Sequence, residues 1–346
     1  MKTVKLLVAF LFLLALQVTS IPWAKSAPID DLIQAAKKEG AVEFLAPSSW
    51  PPTGVEMIAE AFNKKYRVNL KVGKHSSQQM AQDVSKVMTR AAVGVAPEWD
   101  LMVVTDAHHA TLSLKKLLQA FDYRSLGVDS KMVHYGNGTV SIANQLVQPA
   151  YNKKVLPARD VPRSWDDLAD PKWKGGKIGV SVATHHFARL GVGAWGVEKG
   201  NKYVEAVAKL EPNLGTLGQL YTRLQIGEIL VAATLLNGLV YDAERRGAPI
   251  VFAEKVEPVI APAYHAGVPK GAAHPNAGHL LAVFLTTSEG QELMEKYTGY
   301  TSALVPGTRA YKYVQGKKVL YMADDQAEII DKLADEYTKT LGFKKK

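Results

Sequence analysis

The sequence of 346 residues contains no cysteine. The folded chain therefore has no disulfide bonds, and its stability must come from an ordinary hydrophobic core. The absence of cysteine excludes a catalytic thiol and also a lipid-modified cysteine at a processing site. We therefore expect a free protein that is not lipid-anchored.

Long apolar runs are also scarce, and Leu6–Leu16 is the only one. Lys2 and Lys5 precede this run, and Ala24-Lys25-Ser26 places small residues at the −3 and −1 positions before Ala27, as a cleavage site requires. Its eleven apolar residues are too few to cross a bilayer, which takes about 20. We predict a signal peptide at residues 1–26 and a mature chain in the periplasm.

The sequence has no basic stripe interleaved with aromatic residues, so we expect no nucleic-acid partner. Its formal charge is +9, and loss of Lys2, Lys5 and Lys25 with the signal peptide leaves +6. The remaining positive residues are dispersed apart from Lys344-Lys345-Lys346. Such a charge favours solubility and could attract anionic solutes.

Signatures of catalysis are missing as well. No Gly-x-Ser-x-Gly motif occurs, and His108-His109 and His185-His186 are adjacent pairs rather than the i, i+4 pairs that bind zinc on a helix. Gly191–Gly196 matches a dinucleotide fingerprint by letter, but it lies inside a predicted helix. We expect no enzyme activity and no cofactor, and a bound metal ion is kept only as an alternative.

Strand patterns alternate with helix patterns along the mature chain, which predicts an α/β fold with parallel strands covered by helices. Gly40 follows the first helical pattern and suits a left-handed helix end. The predicted helices include 29–39, 54–65, 78–92 and 238–246, and the predicted strands include 41–45, 69–72, 100–104, 177–182 and 229–235.

Five segments together resemble the extracellular solute-binding proteins of ABC importers, and specifically the ferric-iron type. The segments are Tyr151–Pro157, Pro162–Leu168, Asp170–Ile178, Gly227–Ala232 and Pro269–Gln291. The resemblance implies a type II periplasmic binding protein whose two lobes are each a mixed, mostly parallel sheet flanked by helices. The chain would cross between the lobes twice, and the lobes would close on a ligand by a hinge motion. Lobe one would comprise residues 27–145 plus 257–346, and lobe two residues 146–256. It also implies a small-molecule or ion ligand and an ABC permease as partner, and we expect a monomer.

Three polar pairs follow predicted strands of lobe one, where a cleft would be built. Their hydroxyls and the nearby backbone N–H groups could bind an anion. Ordinary loop polarity, or a helix N-cap for the third pair, explains them equally well. These candidates are Ser48, Ser49, Ser76, Ser77, Thr105 and Asp106.

In lobe two, Thr184, His185 and Arg189 follow a predicted strand and open a helix. A carboxylate or phosphate could bind there between the helix N-terminus and the guanidinium of Arg189, although a surface position for Arg189 is the alternative.

Asn237 and Tyr241 lie where ferric-binding relatives carry an adjacent tyrosine pair, but here Leu239 and Val240 precede a single tyrosine. Tyr264 could add a further group from the second crossing between lobes. We therefore expect capture of an oxygen-rich anion, such as an organophosphate, phosphonate or carboxylate. Ferric iron on Tyr241 with a synergistic anion is the main alternative, and a periplasmic ligand sensor is another.

Overall fold

The computed structural model of the protein describes residues 28–343. The predicted signal peptide and the terminal lysines lie outside this range. Within it, no helix combines the length and apolar character needed to cross a membrane.

The helices of the described chain agree with the predicted alternation. The first begins with Asp30 and Asp31 in its first turn and ends before Gly40, whose φ of 73° is the left-handed conformation expected there. The α-helices are α1 (Pro28–Glu39), α2 (Pro52–Tyr66), α3 (Met80–Ala92), α4 (Asp106–Leu114), α5 (His185–Leu190), α6 (Val197–Ala208), α7 (Leu217–Ile226), α8 (Asn237–Arg245), α9 (Pro275–Thr286), α10 (Ser288–Thr298), α11 (Arg309–Val314) and α12 (Ala327–Thr340).

The strands form two separate sheets, one for each lobe. They are β1 (Ala41–Pro47), β2 (Lys71–Ser77), β3 (Leu101–Thr105), β4 (Val133–His134), β5 (Thr139–Asn144), β6 (Val147–Asn152), β7 (Ile178–Ser181), β8 (Asn213–Gly215), β9 (Val231–Leu236), β10 (Ile250–Phe252), β11 (Val259–Ile260), β12 (Ala263–Gly267) and β13 (Val319–Leu320).

The two sheets repeat one topology. In lobe one the order is β2-β1-β3-β12-β5-β4, with β2, β1 and β3 parallel and β12 antiparallel to β3. In lobe two β8, β7 and β9 are parallel, β6 is antiparallel to β9, and β11 and β13 extend the sheet beyond β6. The expected two-lobe α/β architecture with mixed sheets is therefore confirmed.

The C-terminal part of the chain corrects the expected division of the lobes. Residues 257–346 were all assigned to lobe one, yet β11 and β13 pair within the sheet of lobe two. The helix α12 packs on α5, and its buried Ile330 and Leu333 belong to the lobe-two core. The pairing of β13 and the buried apolar face of α12 thus place the chain in lobe two again after α10. The chain therefore passes between the lobes a third time.

Each lobe has its own apolar core. The core of lobe one is built around α9, whose residues Ala277–Leu285 are all buried against the sheet and α1. Phe284 meets Phe62 edge to face at 5.9 Å between ring centroids. The core of lobe two contains Trp165 and Trp173, both fully enclosed. Because the cores are separate, the polar surface between the lobes is free to form a cleft.

Candidate functional site

Two large cavities have walls from both lobes, and a smaller one of about 250 Å³ lies beside Asp106, His134 and Met322. The first, the tyrosine cavity, has a volume of about 450 Å³. Its walls are Ser49, Glu295, Thr298, Gly299 and Tyr300 from lobe one, Leu217, Gly218, Leu236, Gly238, Leu239, Tyr241 and Arg245 from lobe two, and Arg309 from α11.

The second cavity, the histidine cavity, has a volume of about 620 Å³. Lobe one and the hinge contribute Thr105, Ala107, His108, Gln145 and Pro262, and lobe two contributes His185, Arg189, Ile330, Asp331, Lys332, Ala334 and Asp335. Both cavities therefore have walls from both lobes, which is the geometry needed to enclose a solute.

Tyr264 lies between the two cavities. Its hydroxyl accepts a hydrogen bond from Gln145 at 2.9 Å, and its ring meets the ring of Tyr300 edge to face at 5.6 Å. The side chain is 5% exposed. Burial raises the pKa of Tyr264 above its ordinary value, against hydrogen bonds from Ser49 and Gln145. Tyr264 is thus a packed, neutral hinge residue at the floor of the cleft.

Ser48 and Ser49 lie directly after β1, as expected, and both are exposed. Trp50 explains their orientation, because its ring is buried against Phe44 and fixes the loop on the lobe-one core. Ser49 lines the tyrosine cavity, whereas Ser48 lies outside the walls of both cavities.

Ser76 and Ser77 do not follow a strand, as the sequence analysis expected, but form its last two residues. The strand β2 runs on because these residues stay in parallel register with Ala46 and Pro47 of β1. The hydroxyl of Ser77 is buried and donates to Asp83 at 2.5 Å. Neither serine lines either cavity, since Ser77 is buried in this contact and Ser76 is exposed on the surface.

Thr105 and His108 form one wall of the histidine cavity. The Thr105 hydroxyl lies 2.6 Å from Nδ1 of His108 and does not cap α4. Burial lowers the pKa of His108, against the attraction of Asp106. Across the cavity, burial lowers the pKa of His185 to about 4, with a contribution from Arg189. Two neutral imidazoles therefore face each other across the lobes at neutral pH.

The structure corrects the role expected for Arg189. Both terminal nitrogens of its guanidinium donate to the carboxylate of Asp106, at 2.7 and 3.0 Å, and the pair is buried. Arg189 is therefore committed to an acidic side chain of the opposite lobe and is not available as an anion clamp. Asp106, expected to face the ligand, is committed by the same contact.

Thr184 and Asn237 are also structural rather than ligand-facing. The Thr184 hydroxyl donates to the carbonyl of Ala334 at 2.9 Å and so attaches α5 to α12. The side-chain oxygen of Asn237 accepts from the backbone N–H of Leu146 at 3.1 Å, which fixes the start of α8 on the hinge. Both side chains are buried, and neither lines the two cavities.

Tyr241 lines the tyrosine cavity, with the guanidinium of Arg309 centred 3.5 Å above its ring. Its hydroxyl is buried and lacks a well-formed hydrogen bond, although Asn237 and Arg309 lie close to it. Burial raises the pKa of Tyr241, against the positive charge of Arg309. The phenol therefore stays protonated, with its O–H group buried beside Asn237 and Arg309.

The remaining walls of the tyrosine cavity favour negative charge. The helices α7 and α8 both begin there, and the first N–H groups of a helix have no partner within it. Arg245 and Arg309 also line the cavity with Glu295, and each arginine is paired at the surface, Arg245 with Asp242 and Arg309 with Glu244. Helix N-termini, guanidinium groups and hydroxyls are the groups that bind oxygen-rich anions.

Sequence reasoning missed Tyr300, Arg245, Arg309 and Glu295. None of them follows a predicted strand of a lobe, which was the signal used to select candidates. Arg309 comes from the C-terminal segment that was assigned wholly to lobe one. Among the described residues, no group of three or more histidine, aspartate or glutamate side chains is arranged to hold a metal ion.

Comparisons with known proteins identify the family and the fold. Residues 53–301 match the family model described as bacterial extracellular solute-binding protein. Iron-bound HitA from Pseudomonas aeruginosa superposes with a TM-score of 0.68 at 18% identity, covering 86% of this chain and 99% of that one. AfuA from Actinobacillus pleuropneumoniae, with fructose-6-phosphate bound, gives 0.66 at 18% identity, covering 88% and 99%.

The Trichodesmium protein IdiA (FutA), in complex with iron and citrate, gives a TM-score of 0.70 at 14% identity, covering 88% of this chain and 100% of that one. No curated protein sequence matches the chain. These likenesses confirm the two-lobe periplasmic binding protein fold over nearly the whole chain.

Proposed function

The chain belongs to the bacterial extracellular solute-binding protein family, and we propose that it captures an oxygen-rich anion in the periplasm and delivers it to an ABC permease. Proteins of this family bind solutes for transport rather than catalyse reactions. Walls from both lobes would enclose the solute, and the differential contacts made on closure would drive the hinge motion.

The tyrosine cavity carries the proposal for the ligand class. It combines the N-termini of α7 and α8, Arg245 and Arg309, and the hydroxyls of Ser49 and Tyr300. Phosphate and carboxylate groups accept hydrogen bonds from all of these donors. We place the anionic group of the solute here rather than at Arg189, because Arg189 is buried with Asp106, whereas the pairs of Arg245 with Asp242 and of Arg309 with Glu244 are open to solvent.

Thermal-shift measurements on refolded, ligand-stripped protein test this proposal. The panel contains sugar phosphates, phosphonates, citrate, γ-aminobutyrate, spermidine and ferric citrate. At a hundred times its Kd, a true ligand stabilises the folded state by about 2.7 kcal/mol. We expect a rise in Tm of about 5 °C for at least one phosphorylated or carboxylated compound. A response confined to the polyamine would refute the anion proposal.

Two arginines at the end of α8 provide a matched pair of variants. Arg245 and Arg246 both bind Asp242, and their side chains are 74% and 73% exposed. Arg245 lines the tyrosine cavity, and Arg246 does not. We expect Arg245→Gln to weaken binding of the anion about tenfold, whereas Arg246→Gln leaves its affinity unchanged. Equal effects of the two substitutions would show that the anion does not bind in this cavity.

Ferric iron is the second candidate cargo, because Tyr241, Tyr300 and Glu295 line one cavity with hard oxygen donors. Iron held by a phenolate would give a visible charge-transfer band after loading with ferric citrate. Tyr241→Phe would remove the band while the anion still binds. A colourless protein that binds anions supports the first proposal and eliminates the second.

A further inference from the structure

One ion pair joins the two lobes at the back of the cleft. Asp106 is the first residue of α4 in lobe one, and Arg189 lies in α5 of lobe two. The two hydrogen bonds between them measure 2.7 and 3.0 Å, and both side chains are only 4% exposed. We propose that this pair is a lock that keeps the lobes closed before any solute binds.

The carboxylate of Asp106 is fully hydrogen-bonded, whereas Nε of Arg189 is buried without a hydrogen-bond partner among the described residues. A desolvated pair is favourable only when its geometry is good and the other lone pairs are satisfied. Here one carboxylate oxygen also accepts from the N–H of Ala107 at 2.8 Å, and the other from the N–H of Ala263 at 3.2 Å. Each oxygen therefore has two donors while the lobes are closed.

Further contacts of lobe one lie beside the lock. The Tyr135 hydroxyl donates to the carbonyl of Asp106 at 2.8 Å. The Tyr135 N–H donates to the carboxylate of Asp324, and Nδ1 of His134 lies 2.9 Å from the same group. Asp324 precedes α12, which packs on α5 and also touches α4. The closed arrangement thus rests on the protein's own contacts on this side of the hinge.

Opening the lobes would separate Arg189 from Asp106 and break both hydrogen bonds together. A protein that is already closed pays no conformational cost on binding, and its apparent affinity rises in proportion to the closed fraction. The lock would therefore raise affinity without contacting an anion bound in the tyrosine cavity. It is independent of which solute the protein carries, so its test can fail or succeed separately from the proposed function.

The lack of native cysteine allows a direct measurement. Ser85 in α3 and Glu205 in α6 are exposed and lie on opposite lobes. Ser85→Cys and Glu205→Cys, each carrying a spin label, report the distance between lobes in protein refolded from guanidinium without solute. We expect the wild-type background to give one short distance. A wild-type distribution dominated by a long distance would overturn the lock.

Arg189→Gln in the labelled protein removes the lock. Removing one partner of a buried pair leaves the other charge uncompensated, so we expect the open-to-closed ratio to rise at least about tenfold. Lys65→Gln is the control, because Lys65 pairs with Glu289 inside lobe one at 2.8 Å. The control should keep the short distance. An unchanged distance in folded Arg189→Gln would also overturn the proposal, and if that variant does not fold the wild-type distribution decides alone.

Discussion

His279 ties the stability of lobe one to pH. Its side chain is 3% exposed, stacked on Phe121 at 4.4 Å between ring centroids. The Tyr123 hydroxyl lies 2.8 Å from Nδ1 and can donate to it only while that nitrogen is unprotonated. Burial lowers the pKa of His279 from 6.5 to about 3. The folded protein therefore holds this imidazole neutral well below neutral pH.

The sign and size of the pH effect follow from linkage. The unfolded chain takes up a proton at His279 as the pH falls below 6.5, and the folded chain does not. Stability is therefore fully present above the unfolded pKa and declines as the pH falls toward the folded pKa. Between pH 7.5 and 5.0 the loss is about 2 kcal/mol for this residue, at about 1.4 kcal/mol per pH unit. Any pKa of His279 below about 4 in the folded protein gives the same loss of stability over this pH range.

Urea denaturation at pH 7.5, 6.5, 5.5 and 5.0 measures this effect in wild type and His279→Gln. Glutamine can still accept from Tyr123 but does not titrate, so the variant should lose about 2 kcal/mol less than wild type over this range. Phe121→Leu is the control, because it removes packing on His279 but no titrating group. The control should be less stable at every pH with an unchanged slope. Parallel wild-type and His279→Gln curves would refute a neutral His279.

Three further substitutions have defined outcomes. Gly238→Leu should abolish binding of the anion without lowering Tm in thermal-shift assays, because a Cβ here meets Tyr300 at an ordinary 3.6 Å and the side chain then fills the tyrosine cavity. Ser77→Ala should cost about 1–3 kcal/mol in urea denaturation by leaving buried Asp83 short of a donor, with solute affinity unchanged. Phe284→Ala should cost about 3–5 kcal/mol in the same assay, because the ring is fully buried.

Most of the fold was predictable because it follows from local sequence patterns. Alternating helices and strands, with Gly40 as a helix end, are properties of short segments. The end of β2 was not predictable in this way. Lys74–Ser77 has a polar sequence, and it forms a strand because β1 offers it a row of backbone partners. That partnership is a tertiary effect, and it moved Ser76 and Ser77 from the expected cleft into the sheet.

The pairing of Asp106 with Arg189 could not be predicted from local signals either. Asp106 begins α4 directly after β3, and Arg189 lies in the short helix α5 that follows β7, so each was selected as a ligand-binding position. The two helices face each other across the lobes, and the residues are 83 positions apart in sequence. A carboxylate and a guanidinium that were both predicted to bind a ligand thus bind each other. A sequence rule that considers each residue separately cannot predict such a pair.

Two tyrosines that are far apart in the sequence line the same cavity of the cleft. The chain lacks the adjacent tyrosine pair of ferric-binding relatives, but Tyr300 of lobe one lines the same cavity as Tyr241 of lobe two. Burial raises the pKa of both phenols, and Arg309 places a guanidinium over the ring of Tyr241. Phenols that keep their protons beside a fixed positive charge act as hydrogen-bond donors. Fe(III) would have to displace these protons, so the raised pKa values make iron binding costlier, and the charge-transfer band after loading with ferric citrate tests this expectation.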